Sequence, residues 1–119
     1  MRTVNRKSPR DTSPKFPDAS AAEIDAALAY ESIFVPALFQ YWPRHVISAA
    51  DVQRGHRTLD IACGTGVLTR ELSAIVGEPP PVGLDISPGM LEVASRMNSA
   101  IEWRHGDACA LSFEVLAPM

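Results

Sequence analysis

A chain of 119 residues with 46% hydrophobic side chains, 11 Lys plus Arg and 14 Asp plus Glu has an ordinary globular balance and a formal net charge of −3. The charge is unevenly spread: residues 1–18 hold five bases and two acids, and the rest holds six bases and twelve acids. An acidic body argues against a nucleic-acid groove, and no apolar run approaches the roughly 18 residues that span a bilayer.

Residues 1–19 are polar and basic, contain Pro9, Pro14 and Pro17 and lack apolar periodicity, so they read as a disordered tail, with a transit peptide as the weaker alternative. Ordered structure is expected from residue 20 to residue 119. Ser20 and Glu23 form a capping box ahead of Ile24, Ala27 and Leu28, which opens a helix. Phe34 to Phe39 and His45 to Ala50 read as two further helical pieces, divided near Pro43. Tyr30, Phe34, Tyr41 and Trp42 are expected to pack onto the sheet, with lining the substrate side of a site as the alternative.

Thr58 to Gly66 carries an apolar strand, Leu59-Asp60-Ile61-Ala62, into the loop Cys63-Gly64-Thr65-Gly66. Leu59, Ile61 and Ala62 suit a strand buried on both faces, and Gly64 and Gly66 let the backbone turn sharply or approach a ligand. Leu68, Leu72, Ile75 and Val76 then share one helical face, ending near Gly77 and Pro79-Pro80-Pro81. Val82-Gly83-Leu84-Asp85 reads as a second strand. Its terminal acid stands 19 residues beyond Gly66, the spacing at which a carboxylate holds a ribose hydroxyl. Ser87 and Pro88 open another helix, with Met90, Val93, Ala94 and Met97 at helical spacing. Ile101 to Gly106 alternates apolar and charged side chains as a third strand at a sheet edge, and Asp107 ends it.

With three acids at three consecutive strand ends, the chain resembles the class I S-adenosylmethionine-dependent methyltransferases, in particular the small-molecule group that includes the ubiquinone and menaquinone biosynthesis enzymes. LDIACGTG (59–66), VGLDISPGMLEVA (82–94) and IEWRHGDACALSF (101–113) carry the resemblance. It implies an α/β, Rossmann-like fold with leading helices. It also implies S-adenosyl-L-methionine as cofactor and an enzyme of methyl transfer. With no motif for a DNA, RNA or protein substrate, the acceptor is expected to be a small molecule, and the unpaired cysteines suit reduced thiols in a cytoplasm. Asp60, Ala62, Cys63, Gly64, Thr65 and Gly66 would surround the methionine part, and Asp85 would hold the ribose. Asp107 with the Ala108 backbone would meet the adenine amino group, and Ile86 and Met90 would flank the ring. No catalytic residue is assigned, because a methyl on a sulfonium needs mainly alignment with its acceptor.

Lys is absent after Lys15, which suits a ligand without phosphate. Three alternatives bear on the same residues. A dinucleotide-binding dehydrogenase would want glycine where Thr69 stands. Asp107 also suits a plain turn, and Cys63 a small apolar filler. Cys63 and Cys109 have no C-x-x-C spacing, and His45, His56 and His105 are scattered, so no metal or disulfide is expected. The family's domain continues beyond the third strand, whereas here only a segment resembling the approach to a fourth, Leu111-Ser112-Phe113, remains. The chain therefore reads as a partial domain, either the cofactor-binding half of an enzyme or a non-catalytic binding module. Its open first strand invites a homodimer or aggregation.

Overall fold

The computed structural model describes residues 13–39 and 41–110. Among them, β1 (Leu59–Ile61), β2 (Val82–Asp85) and β3 (Glu102–His105) form a parallel sheet in the order β1-β2-β3. Leu59 stands opposite Val82, and Gly83 opposite Trp103. Helix α3 (Val67–Val76) connects β1 to β2, and α4 (Pro88–Met97) connects β2 to β3. The crossovers bring all three strand ends to one edge of the sheet, where α/β proteins form their crevices. Among the described residues, β1 and β3 are the sheet's two edges.

The helix boundaries follow from local chemistry. Ser87 caps α4 by accepting the Met90 amide at 3.3 Å, and Pro88 occupies the first turn, where its missing amide costs nothing. Gly77 ends α3 with a positive φ of 67°. Leu91 and Ala94 of α4 bury themselves with Ile101, Trp103 and Cys63 in one core cluster. Trp103 explains two glycines. A Cβ on Gly66 would lie 2.3 Å from the indole, and one on Gly83 would lie 2.5 Å from it, so both residues are bare where the ring lies. Gly66 thus serves packing as well as the turn.

The leading segment differs from expectation. Helix α1 (Ala21–Ala29) is capped as foreseen, Ser20 accepting the Glu23 amide at 3.1 Å. It then runs directly into a π-helix, Tyr30–Phe39, with Pro36 inside. Helix α2 (Trp42–Ala49) starts at Trp42, so Pro43 sits in a first turn and does not divide two helices. Helix α1 packs on α4, closely enough that a Cβ on Gly89 would meet the Glu23 backbone at 2.8 Å, and α2 packs on α3. Phe34, Tyr41 and Trp42 do not pack onto the sheet: they are 51%, 71% and 64% exposed. Ile61, expected to be buried, is 46% exposed because nothing described covers that face of β1.

The tail expectation also needs correction for its last residues. Phe16 packs against the core cluster, and its amide donates to Glu92 Oε2 at 3.0 Å. Glu92 is buried, so an N–H donor there satisfies a carboxylate that water barely reaches. Residues 1–12 and the Leu111-Ser112-Phe113 segment lie outside the described residues.

Candidate functional site

The chain leaves β1 in a tight turn. The Cys63 amide donates to Leu84 O at 2.9 Å, one more rung of the β1–β2 ladder, and the Gly66 amide donates back to Cys63 O at 3.0 Å. Ala62, Gly64 and Gly66 all take positive φ, at 58°, 60° and 90°. Glycine accepts this freely, but Ala62 holds a left-handed backbone at a cost of about 1 kcal/mol.

Two carboxylates organise the turn from behind and from beside it. Asp60 is buried and accepts the Thr69 hydroxyl at 2.7 Å, tying the end of β1 to the first turn of α3. Burial raises its pKa above the usual carboxylate value; the Thr69 hydrogen bond opposes that rise and the nearby Asp85 charge adds to it. Asp85, at the end of β2, accepts the Gly64 amide at 2.9 Å through Oδ2 and the Ser87 amide at 2.8 Å through Oδ1. Each oxygen keeps a second lone pair for a ligand hydroxyl.

Beyond the strand ends lies a hollow of about 130 Å³. Asp85 and Asp107 face it, with Ala62, Leu84 and Ile86 as its apolar wall and Gly106 and Ala108 at its floor. Asp107 Oδ1 accepts the Cys109 amide at 2.8 Å, so the plain-turn role and a place at the hollow coexist in one side chain. Below it, the Gly106 amide donates to Asp85 O at 3.0 Å and keeps the ends of β2 and β3 level.

Of the residues singled out from sequence, Ala62, Asp85, Ile86, Asp107 and Ala108 share this hollow. Asp60, Cys63, Thr65 and Gly66 are buried behind it, and Met90 is half-buried on α4, away from the lining. The three carboxylates thus do not converge on one space: two do, and Asp60 supports the loop that borders it. Cys63 belongs to the core, and burial, helped by Asp60 and Asp85, pushes its thiol up to about 12, which leaves it un-ionised at neutral pH.

Sequence reasoning missed Glu31 and Arg70. Arg70 Nη1 donates to Thr65 O at 2.7 Å, Arg70 Nη2 pairs with Glu31 Oε1, and the Thr65 hydroxyl donates to Glu31 Oε2 at 2.5 Å. No local pattern connects residues 39 positions apart, so no signal in the chain announces this pair. Tyr30, adjacent to Glu31, lies over Gly64, where a Cβ would be 3.8 Å from its ring. Burial raises the Tyr30 pKa, and the Glu31 and Asp85 charges add to the rise, so its hydroxyl keeps its proton.

Residues 58–116, about half of the chain, match a family model described as a methyltransferase domain. The demethylmenaquinone methyltransferase of Staphylococcus epidermidis is 43% identical over 77 residues, covering 61% of this chain and 32% of that protein. This chain thus spans about a third of the length of the curated relatives it matches. The solved TehB-like SAM-dependent methyltransferase of Corynebacterium glutamicum superposes with a TM-score of 0.58 at 24% identity, over 73% of this chain and 46% of that one. The DhpI–SAH complex superposes with a TM-score of 0.53 at 29% identity, over 71% and 41%. Strand order, glycine turn and these likenesses agree: the chain belongs to the S-adenosylmethionine-dependent methyltransferases of the Rossmann-like class I fold, and carries part of that fold.

Proposed function

We propose that the hollow beyond β1, β2 and β3 takes the adenosine part of S-adenosylmethionine, and that the chain acts in methyl transfer to a small-molecule acceptor. The observation that carries this reading is that Asp85 and Asp107 share one hollow with an apolar wall and no basic side chain. Carboxylates accept hydrogen bonds from ribose hydroxyls and an amino group, and Ile86 and Leu84 offer flat apolar contact. A phosphate-bearing dinucleotide would instead need free amides at the turn, yet Asp85 already takes that of Gly64.

When bound, the cofactor supplies a methyl group already activated on sulfur. The chain's own residues then have four tasks. Asp85 and Asp107 orient the ligand, Ala62 and Gly64 border it, Asp60 steadies the turn, and the acidic surroundings favour a positive charge. The names of the staphylococcal relatives support a small acceptor. The free Cys63 and Cys109 suit a reducing cytoplasm.

Calorimetric titration of the chain with S-adenosylhomocysteine and, separately, with NAD tests the reading. Saturable binding of the first alone is expected; binding of NAD alone would transfer the hollow to the dehydrogenase alternative.

A further inference from the structure

We infer that Glu31 and Arg70 are positioning residues: together they clasp Thr65 and hold the glycine turn in its ligand-ready shape from outside the turn. The inference rests on the proposed use of the hollow, and goes beyond it by making that site depend on the docking of the leading π-helix.

The geometry is a closed ring across three elements. Glu31 comes from the first turn of the π-helix, Thr65 from the middle of the turn, and Arg70 from the second turn of α3. Thr65 is wholly buried, and its two side-facing polar groups are both committed, its carbonyl to Arg70 and its hydroxyl to Glu31. The remaining guanidinium arm closes the ring onto the second Glu31 oxygen. Only 23% of the Arg70 side chain and 12% of the Glu31 side chain is exposed, so solvent screens this pair far less than an ordinary surface ion pair.

The turn needs such a hold. Two glycines flank Thr65, and glycine loses more backbone freedom on ordering than any other residue. Asp85 fixes the front of the turn through the Gly64 amide, and side chains from the π-helix and α3 hold Thr65. The same π-helical turn sets Tyr30 over Gly64, and Tyr30 stacks on Phe34 with ring centroids 6.3 Å apart. A break in the clasp therefore frees the turn and moves Tyr30 from its border.

The test uses the full chain and two readouts: S-adenosylhomocysteine affinity by calorimetry, and hydrogen exchange of the Gly64 and Gly66 amides without ligand. Glu31→Gln and Arg70→Gln each should weaken binding about tenfold and speed exchange of those amides by a similar factor. The double variant should be no worse than the weaker single one, because either change opens the whole ring. Arg70→Lys keeps the charge but not the fork, is the milder change should the others unfold, and should show the same effects at about threefold. Arg96→Gln, which removes the pair with Glu92 outside the site, should leave affinity unchanged. Wild-type binding with both single variants within twofold and unaltered amide exchange would overturn the clasp, even if melting temperatures fell. Should the wild type not take up S-adenosylhomocysteine, the binding reading fails, and the exchange rates decide the clasp by themselves.

Discussion

Asp85 Oδ2 accepts the amide of Gly64, 21 residues earlier in the chain, at 2.9 Å. That one contact links the tip of β2 to the turn after β1, while Oδ1 of the same carboxylate starts α4 through the Ser87 amide. A residue expected only to hold a ribose also holds its own site together. Asp85→Ala should therefore weaken S-adenosylhomocysteine binding by about 1–3 kcal/mol, roughly 5- to 150-fold, through lost charge-assisted hydrogen bonds. It should also lower the urea midpoint, since two amides lose their acceptor. Calorimetry with and without the substitution measures the first effect, and unchanged affinity would remove Asp85 from the site.

Asp60 makes a prediction with a definite sign. Its folded pKa lies above the unfolded value of 3.8 because burial disfavours the charged form. The native state therefore binds more protons than the unfolded state between those two values, and stability falls as pH rises through that interval. Above the folded pKa the penalty is constant. Asp60→Asn removes the charge and keeps an oxygen for the Thr69 hydroxyl, so the variant should be more stable than the wild type at pH 7. The advantage should shrink on acidification and vanish below the unfolded value. Urea unfolding of both proteins from pH 3.5 to 8 follows the difference; a variant less stable at pH 7, with the deficit disappearing on acidification, would show that the ionised Asp60 is worth more than its burial costs.

The strands, the crossover helices and their caps were legible because each has a local cause: the apolar runs at β1 and β2, Ser87 with Pro88, Gly77 before the prolines. The hollow was half legible. Asp85 and Asp107 stand at strand ends, and a strand end fixes where a side chain points. Asp60 instead sits in the middle of β1, buried, and accepts the Thr69 hydroxyl, yet in one dimension the three acids look alike. The π-helix was not legible, since its widened turns carry the same apolar pattern as an ordinary helix. Gly66 looked like a turn device alone and Gly83 like an ordinary strand residue, whereas both also leave room for the Trp103 ring, which the β2–β3 register brings across.

That packing gives a clean steric test at Gly83, whose backbone does not need glycine for its φ. An added Cβ would meet the Trp103 ring at 2.5 Å and Cys63 Sγ at 3.1 Å. Gly83→Ala should cost about 1–3 kcal/mol, as overpacking of a tight core does. Combining it with Trp103→Leu should cost less than the two singles added together, because the smaller side chain vacates the space the methyl needs. Equilibrium unfolding of the four proteins in the cycle supplies the numbers, and strict additivity would mean that the two positions do not press on each other.

The exposed edge of the sheet carries the last prediction. Among the described residues β1 has a strand neighbour on one side only, and Ile61 at its end is half-exposed. An edge with free backbone groups and an apolar side chain recruits another strand. This chain alone should therefore self-associate in solution, and Ile61→Lys should reduce that association, because a charge on an edge strand is costly to bury against a second copy. Sedimentation at several concentrations distinguishes the outcomes. Ile61 stands outside the lining of the hollow, so the substitution should leave S-adenosylhomocysteine affinity within about twofold, a change below 0.5 kcal/mol. A wild type that sediments as a monomer at every concentration would show that the β1 edge is protected by something other than a partner strand.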